Sequence, residues 1–221
     1  MNQLSKLNQV VSSCRKCPRL VQFRESIPKR ASYKNEVYLR RPTPGFGDPN
    51  ARLLILGLAP SAHGGNRTGR IFTGDESARF LMKMLHKAGF ANQPTSLALE
   101  DALRLKGCYI TAAVKCVPPQ NKPLKKECDN CLPFLEQEFA LLSQVKAVLA
   151  LGQLAYKAFF DLLSKKNLSL KKPSFKHGLS IEIEKISLFT SYHPSPQNTY
   201  TGKLTDNMFL DLLNKIKNQI F

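Results

Sequence analysis

At 221 residues the chain can bury one substantial core, and no Ser/Gly-rich or Pro-rich linker divides it, so one domain spanning 1–221 is expected. Its 33 Lys and Arg stand against 16 Asp and Glu, a formal net charge of +17, whose positive field attracts a polyanion such as nucleic acid. The longest apolar runs, such as Leu53 to Leu56, are far too short to span a bilayer, and Met1 to Ser13 lacks the apolar core of a signal peptide.

A soluble, cytoplasmic protein with no membrane partner is therefore expected, and in that setting the six cysteines read as metal ligands or buried apolar residues rather than disulfides. The charge excess belongs to the body of the chain, although Lys165, Lys166, Lys171 and Lys172 form a local cluster.

Leu4 to Val11 has helical periodicity. Arg52 to Ala59 reads as a buried strand and Glu76 to Ala88 as an amphipathic helix carrying Phe80, Leu81, Met84 and Leu85. Tyr109 to Val114 is a second strand, Glu127 to Gln144 a helix, Ala147 to Leu151 a third strand and Gln153 to Leu163 a helix. Ile181 to Tyr192 is strand material that can form a hairpin, and Asp206 to Ile220 is a closing helix. Strands alternating with helices predict a parallel α/β sheet with helices on both faces and function at the carboxyl ends of the strands. Three such ends are polar: Pro60 to Asp75, Lys115 to Pro123, and His193 to Thr205.

The first of these is dense in glycine, yet it lacks both the Gly-Lys-Ser/Thr ending of a P-loop and the three-glycine spacing of a dinucleotide fingerprint. The last, His193-Pro194-Ser195-Pro196-Gln197-Asn198, puts an imidazole at a strand terminus, with prolines restricting the backbone on either side of Ser195. Read alone, His193 is equally a satisfied histidine at a strand end.

Together, Gly57-Leu58-Ala59-Pro60 after the first strand and His193-Pro194-Ser195 after the last resemble the two signature motifs of the uracil-DNA glycosylase superfamily. The extended first motif, Gly57 through Asp75 with Ala62-His63-Gly64-Gly65-Asn66-Arg67-Thr68-Gly69-Arg70, is similar to the family 5 branch, also called type b, and the likeness runs from Cys14 to about Leu204. The resemblance implies a three-layer α/β/α fold around a four-stranded parallel sheet, a [4Fe-4S] cluster, and hydrolysis of the bond between a damaged base and its deoxyribose. The implied partners are double-stranded and single-stranded DNA containing damaged bases, bound by a monomer, with sliding-clamp or repair proteins as further partners.

Read without the resemblance, the cysteines form two Cys-x-x-Cys pairs, Cys14/Cys17 and Cys128/Cys131, a pattern also open to a four-thiolate zinc site in a non-catalytic nucleic-acid-binding module. The resemblance instead selects Cys14, Cys17, Cys116 and Cys131 as cluster ligands. Cys108 is then a buried apolar residue and Cys128 a spare thiol. A phosphate-ester hydrolase in the same frame would want clustered carboxylates or histidines for metal ions, and Asp75 with His193 are too few.

A base in a duplex must be flipped into a pocket before it can be cut. By resemblance, His193 donates a hydrogen bond to the leaving base. Phe72 stacks on that base, and Gly57, Ala59, Ala112, Ser195 and Asn198 complete the pocket. Two departures matter. Other branches carry a polar residue directly after the first strand, where this chain has Leu58 and Ala59, so Asp75 is the catalytic carboxylate expected here, with Asn121 a second polar candidate. Asp75 could equally cap the helix that Glu76 opens. The related family also has an asparagine on the second strand, where this chain has Ala112, which predicts a wider pocket that takes hypoxanthine, hydroxymethyluracil and ethenocytosine as well as uracil. Arg67 and Arg70 are expected to clamp phosphate. Thr199 to Leu204 is the expected duplex-probing loop, with Tyr200 or Leu204 as its wedge.

Overall fold

A computed structural model describes residues 2–165 and 172–221, so Lys166 and Lys171 of the lysine cluster lie outside the described residues. In chain order the elements are α1 (Gln3–Ser12), α2 (Pro18–Ser26), β1 (Phe46–Gly47), β2 (Leu53–Gly57), α3 (Gly65–Thr68) and α4 (Glu76–Lys87). They continue with β3 (Cys108–Ala112), α5 (Lys125–Leu141), β4 (Ala147–Leu151), α6 (Gln153–Lys165), β5 (Ser180–Ile183), β6 (Ile186–Ser191), α7 (Pro196–Thr199) and α8 (Asp206–Ile220).

The strands form one sheet in the order β1-β3-β2-β4-β6-β5. Its centre is the expected four-stranded parallel array of β3, β2, β4 and β6, and each edge adds one antiparallel strand. The hairpin anticipated in Ile181 to Tyr192 is the β5–β6 pair.

Strands β2 and β4 read as uninterrupted apolar runs because both faces are covered. Leu53 and Ile55 pack with Leu81, Met84 and Leu85 of α4 and Phe209, Leu213 and Ile216 of α8. Leu54 and Leu56, one residue out of phase, pack with Tyr156, Phe159 and Leu162 of α6 and Leu135 of α5. This α/β/α layering leaves the carboxyl ends of β2, β3, β4 and β6 along one edge, where Gly57, Ala112, Gly152 and Tyr192 hand over to loops.

Chain connectivity brings the N-terminal segment to that edge as well. After α2, residues 27–41 lie along the loop that follows β2, with the Leu39 N–H donating to the Arg67 carbonyl and the Arg40 N–H to the Asn66 carbonyl, both at 2.9 Å. The Asn66 side-chain amide donates back to the Arg24 carbonyl of α2 at 3.2 Å.

Candidate active site and cysteine centre

The loop from Leu58 to Asp75 folds on itself through α3 and two glycines in the left-handed region, Gly69 at φ 79° and Gly74 at φ 75°. It ends on Asp75, the N-cap of α4, whose carboxylate accepts from the Ala78 N–H at 2.8 Å. The other carboxylate oxygen takes a short hydrogen bond from the Ser61 hydroxyl, and Ser61 Oγ in turn accepts from the Gly64 N–H at 3.0 Å. Gly64 lies so close to this carboxylate that no side chain fits there. Asp75 thus caps a helix and is also held in a fixed orientation by a hydroxyl that its sequence surroundings did not single out.

Phe72 adopts φ 48°, a strained value for a bulky residue, and its ring lies against Gly57, where an added Cβ would meet it at 2.9 Å. The ring of His193 lies 6.1 Å from that of Phe72, inclined by 29°. Gly57 is in register with Ala112 on β3, so the floor beneath Phe72 carries no polar side chain. His193 itself is seated by Gly152 at φ 92°, whose Cα faces the His193 Cβ; this glycine at the end of the Ala147–Leu151 run is a site feature that the sequence reading missed.

Burial pushes the His193 imidazole below its ordinary pKa, while the negative charge of Asp75 opposes that shift. The two expected catalytic residues therefore share one electrostatic environment, with a neutral ring facing an anchored carboxylate. Asn121, the second polar candidate, stands on an exposed turn at φ 56°.

Around His193 the loop is self-supporting. The Ser195 N–H and the Asn198 side-chain amide both donate to the His193 carbonyl at 2.8 Å. Asn198 thus turns its amide nitrogen toward the backbone of its own loop. Ser195 occupies the N-cap position of α7. Ala59 packs against the cysteine group and so joins the first motif to that centre.

Three DNA-contact expectations are corrected. Arg67 is 5 % exposed: it pairs with Glu36, donates to the carbonyls of His63 and Gly74, and lies over the Tyr33 ring at 3.9 Å. Arg70, also 5 % exposed, pairs with Asp101 at 2.7 Å and donates to Thr73, Ser96 and the Leu99 carbonyl. Each guanidinium nitrogen of both residues already donates to the loop or its neighbours. Leu204 is 1 % exposed in the core beneath α8 and is no wedge, whereas Tyr200 is 71 % exposed, with its hydroxyl on Glu76 at 2.9 Å.

Cys17, Cys116, Cys128 and Cys131 pack in one apolar group, and Cys14 packs beside Leu7, Val11 and Phe134. Burial pushes the Cys116 thiol up to about 11 and Cys131 up to about 12. Cys116 lies within electrostatic reach of Cys14 and Cys17, and Cys131 of Cys116 and Cys17. Cys128 packs on the same apolar group, but the charges it meets are those of Asp129, Asp161, Glu127 and Lys157, and it lines a separate cleft of about 290 Å³ with Leu58 and Ala113. Two donors point at the sulfurs: Arg24 Nη1, 3.5 Å from Cys116, and Asn130 Nδ2, 3.3 Å from Cys17. Arg24 is 2 % exposed and pairs with Glu25 at 3.6 Å through Nη2, while its Nε lacks a partner among the described residues. Among the described residues no three His, Cys, Asp or Glu side chains converge tightly enough to hold a single metal ion.

Comparison with known proteins agrees with this architecture. The model of the uracil DNA glycosylase superfamily matches residues 44–217, and the chain belongs to that superfamily. More particularly, it is 47% identical over 95% of its length, and 94% of the relative's, to a type-5 uracil-DNA glycosylase of Thermus thermophilus. It is 42% identical, over 95% of this chain and 89% of the relative, to a type-5 uracil-DNA glycosylase of Pyrobaculum aerophilum. A type-4 uracil-DNA glycosylase of the same archaeon is 29% identical over 87% of this chain and 83% of its own.

Proposed function

We propose that this chain is a monofunctional uracil-DNA glycosylase that acts as a monomer in base excision repair and also removes hypoxanthine, hydroxymethyluracil and ethenocytosine. The observation that carries the reading is that the loop after β2 and the loop after β6 bring Asp75 and His193 within electrostatic reach of each other, one anchored and one buried, beside the Phe72 ring over Gly57.

With the nucleotide extruded into the site, the bond from C1′ to the base nitrogen breaks and its electron pair leaves with the base. The His193 N–H stabilises that negative charge without giving up its proton. Asp75 faces the electron-poor sugar, stabilises it, and orients the water that adds to C1′; the products are free base and an abasic site. Phe72 offers the leaving base an apolar face, and the methyl of Ala112 in place of an amide leaves its edge unselected, which supports the broad range.

The donor set at the second centre fits a [4Fe-4S] cluster on Cys14, Cys17, Cys116 and Cys131. Buried Arg24 with Asn130 would supply the N–H groups and positive charge that such thiolates require. Its contribution when bound is structural: it ties α2, and through it residues 27–41, to the catalytic loop.

Single-turnover assays on duplexes carrying one uracil, hypoxanthine or hydroxymethyluracil, followed by alkaline cleavage, test the activity. Excision of uracil with refusal of the other two would overturn the broad range, and no alkali-labile site at uracil would overturn the function. Iron and sulfide analysis tests the cluster: Cys17→Ser loses the iron and the brown colour while Cys128→Ser keeps both.

A further inference from the structure

We propose that His63, oriented by Tyr38 and flanked by Arg30, is a hydrogen-bond donor to a backbone phosphate of DNA at the edge of the base pocket. The inference deepens the glycosylase reading and rests on it for the identity of the polyanion.

Tyr38 is buried, and its hydroxyl has two contacts. The Arg30 backbone N–H donates to it at 3.3 Å, and it lies 2.9 Å from His63 Nδ1. His63 Nδ1 is the one acceptor within reach of the buried Tyr38 hydroxyl among the described residues, so we assign the Tyr38 proton to that bond and leave Nδ1 as the unprotonated nitrogen. In the neutral ring the proton sits on Nε2, directed away from Tyr38. Neutrality is what the surroundings favour, since burial lowers the imidazole pKa and the charges of Arg30 and Arg67 lower it further. Among the described residues Nε2–H has no acceptor.

The nearest carboxylates are already engaged, Glu36 by Arg67 and Asp75 by Ser61 and the Ala78 N–H, whereas Arg30 offers a free donor. The Arg30 guanidinium is exposed and forms no ion pair among the described residues. The single carboxylate of residues 27–41, Glu36, is engaged by Arg67. The platform is rigid because the same segment is bonded to the catalytic loop through Leu39 and Arg40. A tautomer-fixed neutral N–H beside an uncommitted guanidinium fits a phosphodiester oxygen. Its location fits too: His63 precedes Gly64, the residue pressed against the Asp75 carboxylate, so a phosphate held here keeps the strand beside the pocket.

The test measures binding of the full-length protein to an undamaged duplex across a salt series, an observation that survives even if uracil excision fails. His63→Ala is expected to weaken binding about tenfold with an unchanged salt slope, because a neutral donor releases no counterion. His63→Gln, which keeps an N–H donor, is expected to restore most of the affinity. Arg30→Gln is expected to weaken binding and reduce the slope by about one. Parental affinity in His63→Ala, with its fold verified by circular dichroism, would overturn the proposal, as would 15N spectra of the parent showing the His63 proton on Nδ1. Equal weakening in His63→Ala and His63→Gln would overturn it as well, since the donor would then not be what matters.

Discussion

Asp75 carries two roles that one substitution separates. Asparagine caps a helix about as well as aspartate, so Asp75→Asn keeps the bond to the Ala78 N–H and leaves the unfolding midpoint nearly unchanged. The negative charge is lost, and single-turnover excision of uracil is expected to fall about 100-fold or more. The same variant removes the charge that raises His193 toward its ordinary pKa, so in an NMR titration His193 should titrate at lower pH than in the parent. Parental excision, or an unmoved His193, would show that Asp75 is a cap alone. Both residues were named from the sequence because each lies in a polar stretch that follows a strand, and the motif resemblance singled them out there. Ser61, Tyr38 and Gly152 were not legible, since a hydroxyl or a glycine acquires its role from a partner that the linear pattern does not show.

At the level of elements, the loop after β2 behaves as a braced unit rather than as a phosphate clamp. Arg70 reaches Asp101, 31 residues on, and fastens the stretch around Ser96 to the catalytic loop, where the Gly74 N–H also donates to the Ser96 carbonyl at 2.8 Å. Positive charge beside glycine reads the same in sequence whether the guanidinium faces solvent or a distant carboxylate, which is why the buried partner could not be foreseen. Arg70→Gln leaves Asp101 without its cation and is expected to cost about 3 kcal/mol in urea denaturation, with the salt dependence of DNA binding unchanged. The loop after β6 divides likewise. Leu204→Ala opens a core cavity and should cost about 2–4 kcal/mol, whereas Tyr200→Ala should alter stability by less than about 0.5 kcal/mol. As the remaining wedge candidate, Tyr200→Ala should slow excision from a duplex more than from a single strand, which does not have to be opened.

For the whole molecule, the apolar periodicities were enough to predict the parallel core, because both faces of the sheet are covered and β2 and β4 at its centre are apolar throughout. The antiparallel edges were harder: β1 is two residues long and carries no alternation to read. The covered sheet edge also shapes the response of the fold to acid. His63, His177 and His193 sit at the carboxyl ends of the strands or packed beside them, and burial lowers the pKa of each. The unfolded chain takes up protons at these positions near pH 6.5, where the folded chain resists them. Unfolding is therefore favoured as pH falls from about 7 through 6.5, and the loss levels off once the folded imidazoles protonate. Asp101 and Glu127, held below the usual carboxylate range against burial by Arg70 and Arg19, add a second loss that begins only below the carboxylate values. Thermal unfolding followed by circular dichroism from pH 8 to 3 should thus show a plateau above pH 7, a first decline through the imidazole range, and a second one below about pH 4.5. A flat melting temperature between pH 7 and 5.5 would mean that these histidines titrate freely in the folded state, and the neutral His193 on which the chemistry depends would lose its basis.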